Sequence, residues 1–361
     1  MKPITSATID CSALRHNLQV LKKMAPHSRV MAVVKANAYG HGLIPAARAL
    51  DGVDAFAVAR LEEGISLRNS GIKLPVVLLE GVLDTDQLEA AAEFNFELVV
   101  HTREQIELLS AVPAGFQFRI WLKLDSGMNR LGFKAPDFGS ALKTLQHNPN
   151  VRQPVGLFTH MASADLPDRA ATQAQLALFA EACRTLPGER CIENSAAILG
   201  YPEGLADWIR PGLLLYGVSP LTGSTGADFG LKAVMTLRSN LIAVKDVLPG
   251  EKVGYGGAWT AKRKTRLAIA AIGYGDGYPR ALMSGTPVLV NGERAVLAGR
   301  VSMDMIGIDV TDLHSCAKLG DPVILWGTDL PVEEIAVWAD TIPYELLCGI
   351  SQRVAVDISP P

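Results

Sequence analysis

The chain of 361 residues carries 34 basic and 37 acidic side chains, a net charge of −3 with no basic cluster, which makes nucleic acid and anionic membrane surfaces poor partners. Hydrophobic residues make up 48% and charged residues 20%, enough apolar material for a sizeable core and a composition unlike that of disordered chains; the length suits two domains. Apolar runs such as 213–215 and 267–272 fall far short of the roughly 18 residues a membrane span needs, and the first residues lack the apolar core of a signal peptide. The five cysteines, Cys11, Cys183, Cys191, Cys316 and Cys348, are widely spaced and never form Cys-x-x-Cys. That pattern argues against a disulfide framework and a zinc site and fits a reducing cytoplasm. The seven histidines show no ligand spacing, so no structural metal is expected.

In chain order, a strand-like start at 4–9 leads to Asp10 and Ser12, either of which can cap a helix carrying Leu14, Leu18, Leu21 and Met24 at helical spacing. Strand signals follow at 30–34, 55–58, 76–79, 96–100, 118–124, 155–160, 190–194 and 212–216. Amphipathic stretches alternate with them at 43–50, 62–68, 85–92, 104–109, 138–145 and 172–183, with a less regular link at 196–205. Eight strands alternating with helices in about 220 residues predict an α/β fold, a (β/α)8 barrel of the TIM type. The competing open, doubly wound sheet wants Gly-x-Gly-x-x-Gly after its first strand, and residues 35–42 lack that spacing.

From about Lys232 the texture changes, which predicts a barrel domain over 1–231 and a C-terminal, mostly β domain over 232–361. Asn291-Gly292 between 287–290 and 295–297 reads as a hairpin, 323–326 as another strand, and 332–339 as the one obvious helix there. The strand at 4–9 is free to join this second sheet, because the barrel count is complete without it. The run Gly273-Tyr-Gly-Asp-Gly277 is explained better by turns than by a nucleotide loop.

A (β/α)8 barrel places its chemistry at the carboxyl ends of its strands. Lys35 and Tyr39 stand there after the first strand, with Lys123, Asp125 and Arg130 after the fifth and His160 after the sixth. Asn194 and Ser195 follow the seventh, and Arg210, Gly212 and Tyr216 surround the eighth. Singly, each has an ordinary structural explanation. Together they gather cations, a hydroxyl and a glycine where such barrels commonly bind phosphate, and a lysine desolvated there becomes a nucleophile and base near neutral pH.

The segment Ala32-Val-Val-Lys35-Ala-Asn-Ala-Tyr39-Gly-His-Gly42 resembles the cofactor-lysine signature of alanine racemases, pyridoxal-phosphate enzymes with a barrel and a C-terminal β domain. Four further segments match in the family's order: Lys123-Leu-Asp-Ser-Gly-Met-Asn-Arg130-Leu-Gly, Arg210-Pro-Gly-Leu-Leu-Leu-Tyr216-Gly, Val253-Gly-Tyr255-Gly-Gly, and Gly299-Arg-Val-Ser-Met303-Asp304-Met. The resemblance spans both domains. It implies that Lys35 holds pyridoxal phosphate covalently and serves as one base. Racemisation needs a second acid/base on the opposite face, and the resemblance gives this to Tyr255 of a partner subunit in a head-to-tail homodimer. His160 and Arg210 resemble the residues that support that phenol, and Arg210 also resembles the donor to the pyridine nitrogen.

The resemblance further implies a phosphate site at Tyr39, Ser195, Tyr344 and the backbone of Gly212 and Leu213. It assigns Arg130 to the cofactor's phenolic oxygen and to the substrate carboxylate, which the Met303 N–H helps to bind. Lys123 matches a lysine that is carbamylated in some family members, and either the carbamate or the plain amine is compatible with the sequence. Tyr274, Arg280, Arg300, Ile342 and Tyr344 resemble the substrate corridor, beside which Asp304 falls. The implied reaction is interconversion of L- and D-alanine; a broad-specificity amino-acid racemase is the nearest alternative, ahead of a fold-related decarboxylase.

Overall fold

The computed structural model describes residues 3–359. Eight parallel strands close into a barrel: Arg29–Val33, Ala55–Val58, Val76–Leu78, Glu97–Val100, Phe118–Lys123, Val151–Phe158, Arg190–Cys191 and Trp208–Ile209. The ring closes where Arg29 and Val30 pair with Trp208 and Ile209. Strands such as Ala55–Val58 and Val76–Leu78 are buried along their whole length, as parallel strands covered by helices must be. The helices between them follow the predicted order, from Leu43–Ala49 to Ala170–Ala182.

The last barrel strand differs from the sequence expectation. Residues 212–216 are not a strand: Leu213–Tyr216 is a 3₁₀ turn, fully buried, and the eighth strand is Trp208–Ile209. A short apolar run bounded by glycines has no periodicity to separate a buried strand from a buried helical turn. The sixth strand starts earlier than expected, at Val151, and the seventh is only two residues long. The irregular link at 196–205 resolves into the short helix Ser195–Gly200 and the 3₁₀ turn Pro202–Gly204.

Asp10 caps the first helix, Cys11–Met24, its carboxylate accepting from Ser12 N and Ala13 N. The strand before it, Ser6–Asp10, lies outside the barrel. It pairs antiparallel with Met235–Val247 and parallel with Ala355–Ser359. The long strand Met235–Val247 also pairs with Pro322–Trp326 and Thr265–Ala270, closing a second, antiparallel ring through Ile306–Asp309, Glu293–Leu297 and Pro287–Val290. The Asn291-Gly292 hairpin forms as its sequence predicts, both turn residues at positive φ.

A second helix in this domain, Pro343–Cys348, was not legible beside Val332–Trp338: six residues are too few for a periodic signal. It matters, because it carries Tyr344 to the barrel mouth. Its backbone crosses so close to Gly40 that a Cβ there would stand 2.1 Å from the Leu347 carbonyl oxygen. Among the described residues no helix is long and apolar enough to cross a membrane.

Candidate active site

Lys35 begins a short helical segment, Lys35–Tyr39, immediately past the first barrel strand. The segment coils the wrong way for L-residues: Ala36, Asn37, Ala38 and Tyr39 all hold φ between 52° and 54°. A left-handed turn costs about 1–2 kcal/mol per residue, because Cβ crowds the following carbonyl. Side chains compensate. Glu63 Oε1 accepts from Ala36 N at 2.7 Å while its Oε2 accepts from Ala59 N and Arg60 N, and Asn37 Oδ1 accepts from Leu43 N at 2.8 Å. Burial, then the charges of Arg130 and Arg210, lower the Lys35 pKa against the opposing pull of Glu80 and Glu63.

Arg210, almost fully buried one residue past the eighth strand, organises the opposite wall. Its Nη1 donates to Cys191 Sγ at 3.1 Å, and its Nη2 meets Thr159 O and His160 Nδ1, each at 3.0 Å. The guanidinium lies 4.2 Å above the Phe158 ring. Its Nε makes no hydrogen bond among the described residues and is left as a donor for a ligand. His160 is held neutral: burial, then Arg210, Lys123, Arg130 and Lys35, push its pKa well below the usual imidazole value.

Lys123, the last residue of the strand Phe118–Lys123, is buried among these cations, and its amine makes no hydrogen bond among the described residues. Burial, Arg210 and Arg130 bring its pKa down to about 8 although Asp125 opposes them. Arg130 is exposed on the loop that follows. Asp125 ties that loop down, accepting from Gly127 N, Asn129 N and Lys134 Nζ.

Across the mouth, Ser195 Oγ accepts from Gly212 N at 2.9 Å and from Leu214 N at 3.4 Å. A Cβ at Gly212 would lie 2.5 Å from the Tyr39 hydroxyl, so only glycine lets that phenol approach the backbone. The Tyr39 ring packs against Tyr216 and Tyr344, at 5.0 and 5.7 Å between centroids. Burial raises the Tyr344 pKa to about 12, so its hydroxyl stays a donor. Leu213 opens the 3₁₀ turn, where N–H groups lack helical acceptors. Hydroxyls and backbone N–H groups thus converge: the donor set suits a phosphate, and a lysine and a spare guanidinium N–H lie within the same mouth.

The other predicted site residues form a separate group on the β domain. Tyr255 is 70% exposed, in a glycine-bounded turn, and among the described residues it makes no hydrogen bond and no aromatic contact with the barrel mouth. Gly275 N, beside Tyr274, donates to Met303 O at 2.9 Å; Arg280 Nη1 donates to Val301 O and stacks on Tyr274 at 5.9 Å. Asp304 is bonded by Arg353 Nη2 at 2.7 Å. Met303 and Ile342 are exposed, and the Arg300 backbone passes Gly254, just before Tyr255. A cavity of about 830 Å3 between the helix Ala170–Ala182 and the segment 202–207 holds none of these residues.

Glu63, Cys191 and Arg353 were not singled out from the sequence. Glu63 sits at the third position of a helix, where an acceptor for preceding N–H groups is a readable signal. Cys191 and Arg353 carried none.

Models of known families match both halves of the chain: that described as "Alanine racemase, N-terminal domain" covers residues 9–220, and "Alanine racemase, C-terminal domain" covers 234–358. The chain is 51% identical over 352 residues to an alanine racemase of Shigella boydii, spanning 97% of this chain and 98% of that protein. It is 50% identical, with the same coverage, to the biosynthetic alanine racemase of Escherichia coli K12. The crystal structure of the biosynthetic alanine racemase of Pseudomonas aeruginosa superposes with a TM-score of 0.96 at 43% identity, covering all of both chains. That of Bartonella henselae alanine racemase, with covalently bound pyridoxal phosphate, superposes at 0.87 with 30% identity over 99% of this chain and 100% of that one. Two family models that together span nearly the whole chain, and relatives at half identity, place this chain in the alanine racemase family.

Proposed function

We propose that the chain interconverts L- and D-alanine as a homodimer with pyridoxal phosphate at each barrel mouth. The observation that carries the reading is the convergence of Lys35, the spare Nε of Arg210, and the hydroxyl and N–H cradle of Tyr39, Ser195, Gly212, Leu213 and Tyr344. When bound, the cofactor supplies the electron sink that makes an α-proton removable. Lys35 anchors it, and with its pKa lowered by burial its amine carries the α-proton on one face. Arg210 donates to the ring nitrogen and, as an arginine, never surrenders the proton, which keeps the sink weak and suppresses side reactions.

Tyr255 of the partner subunit serves the other face. Its exposure, and the absence of a hydrogen bond or aromatic contact with its own barrel mouth among the described residues, support a site shared between chains. Neutral His160, accepting from Arg210 on Nδ1, keeps Nε2–H to donate to that phenol's oxygen. Arg130 and the Met303 N–H receive the substrate carboxylate. Tyr274, Arg280, Arg300, Ile342 and Tyr344 line the approach, with Asp304 fixed beside it by Arg353. Lys123 is carbamylated: a buried amine with three cations around it and no hydrogen bond is the place for an anion that orients Arg130. Five free cysteines favour a reducing, cytoplasmic setting.

The test is racemisation of L-alanine and a panel of larger amino acids, with and without added pyridoxal phosphate, for wild type and Lys35→Ala. Cofactor-dependent turnover of alanine, with loss of both turnover and visible absorbance in the variant, is the expected result. Absorbance retained by Lys35→Ala refutes the lysine assignment, and equal rates across the panel turn the reading to a broad-specificity racemase.

A further inference from the structure

The left-handed turn that presents Lys35 needs something to hold it, because four consecutive side-chain-bearing residues at positive φ relax unless their surroundings over-determine them. Backbone bonds close it from Ala38 N to Val34 O at 2.9 Å, Gly40 N to Ala36 O at 3.1 Å, Gly42 N to Asn37 O at 3.0 Å, and His41 N to Ala38 O at 3.1 Å, but none of them is made to the Tyr39 carbonyl.

His41 adds a further hold. Its side chain is fully buried, with its ring stacked on Tyr216 at 4.4 Å and 19°. Tyr216 is itself anchored, donating its hydroxyl proton to Val33 O at the end of the first barrel strand. Nδ1 of His41 lies 2.9 Å from both the Ala38 and the Tyr39 carbonyl oxygens. Carbonyls only accept, so Nδ1 carries the hydrogen and shares it between two successive residues of the turn. The ψ angles of those residues aim both carbonyls, and the pair diverges if either leaves its left-handed state. Nε2 is bare and has no partner among the described residues. Burial brings the imidazole pKa down to about 4, so the ring is neutral at any working pH. A side chain that only filled the core would need no donor at this position; a phenylalanine would stack on Tyr216 equally well.

We propose that His41 is a positioning residue: its Nδ1–H clasps the Ala38 and Tyr39 carbonyls and so locks the left-handed turn that aims the Lys35 amine into the barrel mouth. The inference rests on the reading of Lys35 given above.

The full-length chain, stripped of cofactor, allows a test that does not depend on turnover. Amide hydrogen exchange of the peptide spanning residues 36–42 is compared in wild type, His41→Leu, His41→Asn and His41→Gln, alongside the rate of pyridoxal phosphate capture followed by visible absorbance. Asparagine keeps a donor at the δ position; glutamine moves it one atom outward. In His41→Leu, exchange of residues 36–42 rises about tenfold or more and capture slows similarly, while peptides from Ala55–Val58 and Pro287–Val290 keep their protection. His41→Asn restores most of both.

Unchanged exchange at 36–42 in His41→Leu overturns the clasp. Should that variant lose protection everywhere, the Asn and Gln variants decide: protection kept by Asn and lost by Gln supports the clasp, and equal behaviour overturns it. If the wild type never develops a Lys35-dependent absorbance, the functional reading fails and the exchange data still judge the clasp.

Discussion

Arg210 Nη2 stands 3.0 Å from His160 Nδ1, and a guanidinium can only donate, so the imidazole proton belongs on Nε2. Burial, then the same cation together with Lys123, Arg130 and Lys35, depresses the His160 pKa well below 6.5. The native state therefore declines a proton that the unfolded chain takes up near that pH. The stability His160 contributes is whole above the unfolded value and is lost as pH falls below it. In NMR titration of the seven histidines, the ring signal absent from His160→Asn stays flat between pH 8 and pH 6. A midpoint near the unperturbed value would mean that Arg210 does not control this ring.

Lys123 makes a different prediction from the same crowd of cations. With its pKa down to about 8, roughly a tenth of the amine is neutral at pH 7, against a trace for a free lysine. Carbon dioxide adds only to the neutral amine, and the product replaces a positive charge by a negative one beside Arg130 and Arg210. Carbon-13 NMR in labelled bicarbonate shows a carbamate signal in wild type that Lys123→Met lacks. Identical spectra remove the carbamate.

Much of this site was legible from residue types at strand ends. Lys35, Lys123, His160 and Arg210 fall at or just past a barrel strand, and Ser195 opens the helix that follows the seventh, because an α/β barrel gathers the carboxyl ends of its strands at one face. The handedness of the Lys35–Tyr39 turn was not legible. Ala36, Ala38 and Tyr39 have no local preference for positive φ, and the Glu63 carboxylate that accepts from Ala36 N comes from a different strand–helix unit, 27 residues along the chain. The eighth strand was misplaced for a related reason: Trp208–Ile209 is too short to show a period, whereas the continuous apolar run Leu213–Tyr216 reads equally well as a buried strand. Cys191 was invisible because its part in the site, accepting from Arg210, exists only once two strands are side by side.

Glu193 carries a cost that the fold tolerates. Its carboxyl is fully buried, and neither oxygen has a partner among the described residues. Burial raises its pKa to about 8 although Arg210 and nearby backbone N–H groups oppose. The native state thus keeps a proton that the unfolded chain releases above its ordinary carboxylate pKa, so stability declines as pH climbs from about 4.5 toward 8. Glu193→Gln removes the charge at nearly constant shape. Its midpoint in urea exceeds that of wild type at pH 8, and the difference shrinks toward zero at pH 5. A gain independent of pH would show that ionisation is not the source of the cost.

The proposed reaction assigns Tyr255 and Lys35 to opposite faces of the substrate, yet in a single chain Tyr255 is exposed on the β domain while Lys35 lies at the barrel mouth. Tyr255→Ala costs one direction of α-proton exchange more than the other, read as deuterium uptake from each enantiomer, because each base serves one face. Complementation then tests where the phenol comes from. Lys35→Ala and Tyr255→Ala proteins are each inactive or nearly so. In a mixed dimer, one site receives the intact lysine of one chain and the intact tyrosine of the other, and the second site receives neither. Random reassortment makes half the dimers mixed with one good site each, so about a quarter of wild-type activity returns. Were each chain to supply both bases to its own site, every chain in the mixture would remain defective. Demonstrated subunit exchange with no recovery therefore rejects the shared site, whatever the fate of the lysine.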